Sequence, residues 1–490
     1  MTFGLVLAAA FAAGAVAVAG FAPFYLWPLP LAALAALFAM WMRETRPWRA
    51  FAAGYAFGLG FFLVGVSWVY VSLHDYGGMP MILAALAVLL FCAYLALFPA
   101  LAGWLSVRFA LHPAWRLVFV PAAFSWCEWL RGWLFTGFPW LSMGTSQAPS
   151  GVLAGYAPIA GTYGVTLAMA IVASCAAWIA IRPRRIFAVV VLAAICAAGY
   201  LLGEVSWTTP AGAPLRIALL QGNIPQELKW RDEERNRILS DYRAMIAGAP
   251  AKIVVLPETA LPAFLDELPP EYLQGLRDDA RAHGKEILLG TVERTGANTY
   301  YNSVVPLVEA NAASYRKRHL VPFGEFVPDG FKWVMAVLHI PLDDFARGAV
   351  VQPALSAAGT KFGVAICYED LFGEEVIQSL PDAQVLLNVS NDAWFGDSLE
   401  PEQHLQGSQM RALETGRWMV RATNTGATAA IDPKGRIASR LPDFTRATLV
   451  AEVQPRSGMT PYAQWGNWPA ICIALALSLV AAWRGRRESP

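Results

Sequence analysis

Charged residues are almost absent from the first 203 residues, which contain nine Arg, three acidic residues and no Lys. A soluble domain has about 25% charged residues, whereas this 490-residue chain has 15%, and 56% of it is hydrophobic. Of its 37 basic and 36 acidic residues, 57 lie between residues 204 and 483. The chain therefore joins an apolar N-terminal part to a middle part of soluble composition. A net charge of +1 gives no reason to expect nucleic-acid binding.

Long apolar segments predict a bundle of transmembrane helices, because a helix needs about 20 apolar residues to cross the hydrocarbon core. We predict eight spans, at residues 3–21, 25–42, 50–73, 81–107, 115–132, 160–181, 186–203 and 465–483. The first segment lacks the basic start of a cleaved signal peptide, so we expect a retained helix. One helix is enough to anchor a domain, so we favour a bundle that holds something hydrophobic over a mere anchor.

Arginine follows every second predicted span, and the other connections are nearly free of positive charge. The residues concerned are Arg43, Arg46, Arg49, Arg108, Arg116, Arg182, Arg184, Arg185, Arg484, Arg486 and Arg487. Because loops rich in Lys and Arg stay in the cytoplasm, we expect both termini inside and the middle part outside. The sequence thus predicts three parts, residues 1–203 with seven spans, an external domain at 204–464, and a last span with a basic tail at 465–490.

The middle part alternates short β-branched runs with amphipathic stretches, which indicates α/β layering. We predict strands at residues 215–222, 252–258, 286–293, 300–308, 361–370, 384–392, 419–426 and 428–435. We predict helices at residues 226–247, 269–283, 372–380 and 401–416. About 240 residues suffice for one substantial core.

Three residues in this part have the chemistry of a nucleophilic site. Glu258 follows the run KIVVLP, Cys367 follows GVAI, and Lys317 lies in YRKRHLVPFGEFVP. A cysteine nucleophile needs a base and a cation near the developing oxyanion, and functional groups collect beyond the carboxyl ends of strands in α/β sheets. Spacing alone leaves alternatives open, because the cysteine could be a core residue, the glutamate a helix cap and the lysine a solvated charge.

Longer motifs carry a resemblance to a known family. The segments VLPETALP, YRKRHLVPFGEF and GVAICYEDLF resemble the nitrilase superfamily, whose members carry Glu, Lys and Cys in this order on an α-β-β-α sandwich. QGNIPQELKW, HLVPFGEFVP, SNDAWFG and TPYAQWGNWP are similar to the apolipoprotein N-acyltransferases of Gram-negative bacteria. The resemblance covers the whole chain. It implies an α-helical transmembrane bundle of about eight spans plus an α/β nitrilase-like α-β-β-α sandwich domain.

The resemblance also implies residue roles. It makes Glu258 the general base, Lys317 the cation that stabilises the oxyanion, and Cys367 the nucleophile. It adds three supporting and three substrate-binding residues, which are Glu325, Tyr368 and Glu369, and Trp230, Asn302 and Trp394 respectively. The backbone N–H of Tyr368 is a candidate second oxyanion donor. Other interpretations stay open, with the tryptophans as interfacial aromatics, the asparagine as a turn cap and Glu325 as a structural ion-pair partner.

The activity that the resemblance implies is transfer of a fatty acyl chain between lipids. The donor is a phospholipid, commonly phosphatidylethanolamine at its sn-1 ester, and the acceptor is the N-terminal amine of a diacylglyceryl-cysteine apolipoprotein. A thioester on Cys367 and ping-pong kinetics follow. The resemblance places the enzyme in the bacterial inner membrane, with its domain on the periplasmic side. We expect a monomer in contact with membrane lipid, and no metal, cofactor or nucleic acid.

Two other functions fit part of the sequence. A membrane-tethered nitrilase-type amidase or lipid hydrolase would share the Glu-Lys-Cys set, and a transporter or receptor with a sensory domain would share the spans. The apolar segment 331–342 fits a membrane-dipping arm or an ordinary buried helix equally well.

Overall fold

The computed structural model describes residues 2–110, 112–182, 186–296, 299–309, 313–328, 330 and 344–487. The segment 331–342 lies outside the described residues. The chain divides into two compact units. The first contains Met1–Trp207, Asp397–Glu414 and Thr460–Pro490, and the second contains Thr208–Gly396 and Thr415–Met459. A short piece of the charged middle part thus belongs to the first unit.

The first unit is helical. Its helices run over Phe3–Ala17, Pro28–Arg43, Pro47–Gly65, Trp68–Val71, Met81–Phe109, Pro113–Arg131, Ala157–Ile181, Ile186–Gly203, Glu400–Thr415, Pro461–Trp465 and Trp468–Arg487. Several begin at a proline, which suits the first helical position because its missing N–H has no partner there in any case.

Helices occupy all eight predicted span positions. Within the described residues, six helical stretches are long and apolar enough to cross a membrane, namely Phe3–Gly20, Pro47–Gly65, Met81–Phe109, Ala154–Ile181, Ile186–Gly203 and Trp468–Arg487. The helix Pro28–Arg43 is apolar but has only 16 residues. The helix Pro113–Arg131 carries charged residues near its end. The chain is that of a membrane-embedded protein.

Two charged residues near the end of the helix Pro113–Arg131 form an ion pair with each other. Arg131 Nη2 lies 2.8 Å from Glu128 Oε1, and both side chains are buried. Arg131 also donates to the main-chain oxygens of Phe138 and Trp140, and Glu128 accepts from the Met143 N–H at 2.8 Å. The pair therefore provides hydrogen-bond partners for main-chain groups of the following loop. Polar groups buried in low-dielectric surroundings need such partners.

The helix Glu400–Thr415 is polar, yet most of its side chains are buried. Gln403 accepts from the indole N–H groups of Trp68 and Trp140 and donates to the Gly65 main-chain oxygen at 3.0 Å. Gln406 accepts from the Ala22 N–H at 2.9 Å. These amides supply the hydrogen bonds that buried polar groups need.

The second unit is built on two six-stranded sheets. Its strands are β1 (Thr209–Pro210), β2 (Leu215–Gln221), β3 (Ile253–Val255), β4 (Glu286–Gly296), β5 (Thr299–Pro306), β6 (Tyr315–Arg316), β7 (Leu355–Ala357), β8 (Thr360–Ile366), β9 (Val385–Ser390), β10 (Met419–Thr423), β11 (Ala429–Ile431), β12 (Ile437–Arg440), β13 (Ala447–Val453) and β14 (Arg456–Ser457). The sheet orders are β13-β2-β3-β4-β5-β6 and β12-β11-β10-β9-β8-β7, and β1 pairs with β14. Strands β2 to β4 run parallel, as do β8 to β10.

Alternation along the strands explains the layers. One set of side chains, including Ile217, Val255, Phe362 and Leu387, comes from both sheets and forms a single buried core between them. The intervening residues of the first sheet, such as Val254, pack with the helices Asp232–Gly248 and Pro270–Ala282. Two short helices of this unit run over Gln226–Lys229 and Gly373–Val376. The predicted α/β sandwich is confirmed, with both sheets buried on their facing sides.

Candidate active site

The three candidate residues lie just beyond strands of the two sheets. Glu258 follows β3, Lys317 follows β6, and Cys367 follows β8 directly. Glycine allows β4 to approach the first of these turns, because a Cβ at Gly290 would lie 2.1 Å from the main-chain oxygen of Pro257. The sandwich thus brings together residues that are far apart in the sequence.

Glu258 is a buried carboxylate with partners at both oxygens. Oε1 accepts from Asn302 Nδ2 at 2.6 Å, and Oε2 accepts from the Asn391 main-chain N–H at 2.9 Å. Lys317 Nζ lies 3.5 Å from Oε1. Several donors thus hold the carboxylate in one orientation, while its charge is balanced by a cation.

Lys317 lies between two carboxylates. Its side chain is 1% exposed, and Nζ lies 2.8 Å from Glu325 Oε1 and 3.5 Å from Glu258 Oε1. Burial alone would lower the pKa of Lys317, but the charges of Glu325, Glu258 and Cys367 together raise it well above its ordinary value. The residue is therefore a permanent cation, and it is electrostatically coupled to the cysteine.

Asn302 and Glu325 complete this cluster. Asn302, on β5, donates to Glu325 Oε1 at 3.2 Å as well as to Glu258. Glu325 Oε2 accepts from the Val321 main-chain N–H at 2.8 Å. The buried Oδ1 of Asn302 has no hydrogen-bond partner in the described part of the chain. Asn302 and Glu325, two of the six residues that the resemblance added, thus contact Glu258 or Lys317 directly.

Cys367 occupies a strained position at the end of β8. Its φ is +52°, in the left-handed region that residues other than glycine rarely adopt. Cys367 is half-buried, and its main-chain oxygen accepts a hydrogen bond from Asn388 Nδ2 at 3.0 Å. Asn388 in turn accepts from Arg421 Nη1 at 3.1 Å. The predicted strand 361–370 therefore ends at Ile366, and a tight turn presents the cysteine.

Glu369 ties this turn to the segment that carries Lys317. Its buried carboxylate accepts from the Ile366 N–H at 2.7 Å on one side, and from the Arg318 and His319 N–H groups at 2.7 and 3.0 Å on the other. Burial raises the pKa of Glu369, and the backbone hydrogen bonds oppose that shift. Glu369 thus fixes the cysteine turn relative to the lysine without reaching the cluster itself.

The remaining predicted residues surround the cluster less closely. Tyr368 is buried, and its ring lies 5.0 Å from that of Phe372 in an edge-on arrangement. Trp230 is 53% exposed and Trp394 is 41% exposed. Neither indole contacts the cluster by a hydrogen bond or ring contact among the described residues. The structure therefore joins four of the nine residues, Glu258, Lys317, Glu325 and Asn302, by direct contacts. Cys367, Tyr368 and Glu369 lie in the turn that Glu369 links to the Lys317 segment, and the two tryptophans lie at the surface.

Three residues that contact Glu258, its turn or the cysteine turn were not predicted. Asn391 donates to Glu258 from its main chain, Arg421 forms buried ion pairs with Asp370 and Asp392 behind the cysteine turn, and Lys229 reaches the Glu258 turn. Each lies in or beside a motif quoted above, such as LKW or SNDAWFG, or in the predicted strand 419–426. A search for charged residues in otherwise apolar strands would have found Arg421. No sequence pattern singles out Lys229, which is notable only as the residue before Trp230.

The arrangement has the parts that nucleophilic acyl transfer needs. A buried carboxylate can take a proton, a permanent cation can stabilise an oxyanion, and a half-exposed thiol can attack a carbonyl carbon. Only oxygen, nitrogen and sulfur side chains of the protein are required for these steps.

Comparisons with known proteins show what the chain is similar to. Residues 13–175 match the family described as apolipoprotein N-acyltransferase N-terminal domain, and residues 216–462 match the carbon-nitrogen hydrolase family. A protein of Nitrosomonas europaea named apolipoprotein N-acyltransferase is 47% identical over 99% of both chains. Proteins of the same name from Methylococcus capsulatus and Chromobacterium violaceum are each 46% identical, over 96% and 99% of this chain and 94% and 95% of theirs. This protein is therefore an acyltransferase that belongs to the apolipoprotein N-acyltransferase family.

Proposed function

We propose that the protein transfers a fatty acyl chain from a phospholipid to the N-terminal amine of a diacylglyceryl-cysteine apolipoprotein. The observation that carries this proposal is the Glu258–Lys317–Glu325 cluster, which is electrostatically coupled to Cys367. A phosphatidylethanolamine donor, attacked at its sn-1 ester, fits the resemblance. The proposed parts are the spans of residues 1–203, a catalytic domain at 204–464 and a final span at 465–490.

In the first half-reaction, Glu258 removes the proton of the Cys367 thiol. The thiolate attacks the ester carbonyl carbon, and the resulting oxyanion is stabilised by Lys317 and by the main-chain N–H of Tyr368. The carbon–oxygen bond of the ester then breaks, and the leaving glyceryl oxygen takes the proton from Glu258. A lysophospholipid departs, and the acyl chain stays on Cys367 as a thioester.

In the second half-reaction, the amine of the apolipoprotein attacks the thioester carbonyl. Glu258 accepts a proton from the amine, the carbon–sulfur bond breaks, and Glu258 passes the proton to the departing sulfur, which restores the Cys367 thiol. The two substrates react in turn, so the kinetics are ping-pong. Water must be excluded between the two steps, because it would release free fatty acid. Trp230, Asn302 and Trp394 are proposed to contact the substrates, while Glu325 and Glu369 hold the cluster.

We further propose that the protein is a monomer of the bacterial inner membrane with its catalytic domain on the periplasmic side. Support comes from the arginines that follow every second predicted span, since loops rich in Arg stay in the cytoplasm. Both substrates are lipids, and each buried CH₂ adds about 0.8 kcal/mol to membrane retention. An enzyme for such substrates works best from within the bilayer.

Intact mass spectrometry tests the covalent step. Wild-type protein mixed with phosphatidylethanolamine alone should gain one fatty-acyl mass, and the Cys367→Ala variant should gain none. A wild-type protein that stays unmodified, with the lipid shown to be intact and accessible, would contradict the thioester mechanism.

Addition of a diacylated lipopeptide separates transfer from hydrolysis. The acylated enzyme should lose its adduct and the peptide should gain the same acyl mass at its N-terminal amine. Release of free fatty acid without acylated peptide would instead favour the lipid hydrolase.

A further inference from the structure

Lys229 is buried beside the turn that carries Glu258. Its side chain is 1% exposed, and Nζ donates to Thr259 Oγ1 at 2.8 Å and to the Glu258 main-chain oxygen at 3.5 Å. Among the described residues, no carboxylate oxygen lies within 4.0 Å of this ammonium group. The negative charge of the Glu258 carboxylate, which lies farther away, favours the protonated form of Lys229.

Burial of an ammonium group without an ion pair is unfavourable. Burial lowers the pKa of Lys229 to about 8, although the charge of Glu258 opposes the shift. An apolar side chain of similar length would fill the same space without this penalty. Packing therefore does not explain a lysine here, whereas its hydrogen bonds do.

The turn that Lys229 contacts is strained. Thr259 has a φ of +45°, in a region that β-branched residues rarely adopt. Lys229 donates to the side chain of Thr259 and to the main-chain oxygen of Glu258. It therefore contacts both residues of the turn. Loss of the ammonium would let the turn relax and would move the Glu258 carboxylate away from Asn302 and Asn391.

The short helix Gln226–Lys229 contacts the same carboxylate by a second route. Gln226 Oε1 accepts from Asn391 Nδ2 at 2.9 Å, and the Asn391 main-chain N–H donates to Glu258 Oε2 at 2.9 Å. Both ends of this helix thus brace Glu258, one through Thr259 and the other through Asn391. A brace of this kind matters most for a residue whose orientation decides a proton transfer.

We propose that Lys229 is a positioning residue, which holds the Glu258–Thr259 turn so that the Glu258 carboxylate stays aligned for proton transfer. The inference rests on the proposed function, in which Glu258 removes the proton of the Cys367 thiol. Lys229 itself touches neither substrate nor the reacting atoms.

The Lys229→Met variant tests this role, since methionine has a similar length but neither charge nor donor. Single-turnover acylation of Cys367 by phosphatidylethanolamine should slow at least tenfold, with little change in the lipid concentration that gives half the maximal rate. The melting temperature should stay the same or rise. A merely structural lysine would give the opposite pattern, with a lower melting temperature and an unchanged rate per folded molecule.

Two further variants guard against misfolding and non-specific effects. Thr259→Val removes the hydroxyl that Lys229 binds, so it should slow acylation too, and the double variant should be no slower than the slower single variant. Lys285→Met is the matched control. Lys285 also donates to main-chain oxygens, those of Ile246 and Ala247, but it precedes β4 rather than following a strand. Its loss should leave the acylation rate unchanged.

Alkylation of Cys367 by iodoacetamide, followed by peptide mapping, separates the two proposals because it needs no lipid. If the wild type forms an acyl adduct and Lys229→Met forms it at a rate within twofold, the positioning role is overturned. If the wild type forms no adduct, the proposed function fails, and alkylation decides the role of Lys229. At least tenfold slower alkylation in Lys229→Met supports it, and an equal rate overturns it.

Discussion

Two buried ion pairs of the helical unit each lie within one helix, whereas two buried ion pairs of the sandwich join residues that are far apart in the sequence. In the helical unit, Glu128 pairs with Arg131 and Arg411 pairs with Glu414, each three residues away on the same helix. In the sandwich, Lys317 meets Glu258 across 59 positions, and Arg421 meets Asp370 across 51. The same interaction therefore serves two different purposes.

The local pairs serve the helix and its neighbouring loop. Residues three apart lie on one face of a helix, so such a pair forms as soon as the helix does, and the Glu128–Arg131 pair satisfies main-chain groups of the next loop. The distant pairs form only when the strands within each sheet have assembled, because each closes a long loop at an entropic cost. The Lys317–Glu258 pair in return places a second carboxylate beside a cation that Glu325, 8 positions away, also contacts. This difference separates charges that complete a helix and its loop from charges that build the proposed catalytic site.

The largest expected effect follows from removal of the shared cation. Lys317→Met leaves Glu258 and Glu325 buried without their partner, which should lower the free energy of unfolding by about 3–5 kcal/mol. It also removes the proposed oxyanion-stabilising group, so the acylation rate per folded molecule should fall roughly 10²–10³-fold. Denaturant titration and single-turnover acylation measure the two effects separately.

The exposed ion pair of Lys361 provides the control. Its Nζ lies 3.1 Å from Asp382 Oδ2, and both side chains are more than half exposed. Such pairs contribute about 0–1 kcal/mol, so Lys361→Met should change neither stability nor rate noticeably. Equal losses in the two variants would show that burial between two carboxylates gives Lys317 no special role.

Sequence patterns predict the parts of this protein that depend on nearby residues. Helices fall at all eight predicted span positions because the hydropathy of each segment is enough to predict a helix there. The predicted strands match for the same reason. The end of the strand at Ile366 could not be read in this way, because the run continues in apolar and aromatic residues while Cys367 adopts a positive φ.

The site could be predicted only where motifs resemble a family. Nothing in the periodicity connects Glu258 with Asn302 or Glu369 with Arg318, since the first contact depends on strand order within one sheet and the second on how the two sheets pack. The role of Glu369 as a link between two turns emerges only from its four hydrogen bonds. Lys229 was missed because the neighbouring Trp230 is the more conspicuous residue in the motif.

A smaller effect is expected in the helical unit. Glu128→Gln keeps an oxygen that can accept from Arg131 but removes the charge and one acceptor, so the Met143 N–H or the guanidinium loses a partner. The unfolding free energy should fall by about 1–3 kcal/mol. Acylation per folded molecule should stay within about twofold of wild type, as measured by intact mass. A loss of rate as large as that of Lys317→Met would remove the proposed distinction between the two kinds of pair.

The smallest effect concerns the pH dependence of stability. The pKa of Lys229 is about 8 in the folded protein, against an ordinary value of 10.5. Between these values the unfolded chain binds the proton and the folded protein does not, so the contribution of this residue to stability rises with pH from about 8 to about 10.5. Lys317 behaves in the opposite way, because its pKa is raised. Its stabilising contribution is complete below 10.5 and declines only above that value.

The melting temperatures of wild type and Lys229→Met, compared at matched pH, isolate this contribution because every other titrating group is shared. The methionine variant should have its greatest advantage near neutral pH, where wild type buries a full positive charge. Raising the pH through about 8 should reduce that advantage, since the buried lysine then loses its proton. A difference that stays constant from about pH 7 to about pH 9.5 would mean that Lys229 keeps its proton in the folded state. The folded protein would then bind this proton about as well as the unfolded chain does, although no carboxylate lies within ion-pair distance among the described residues.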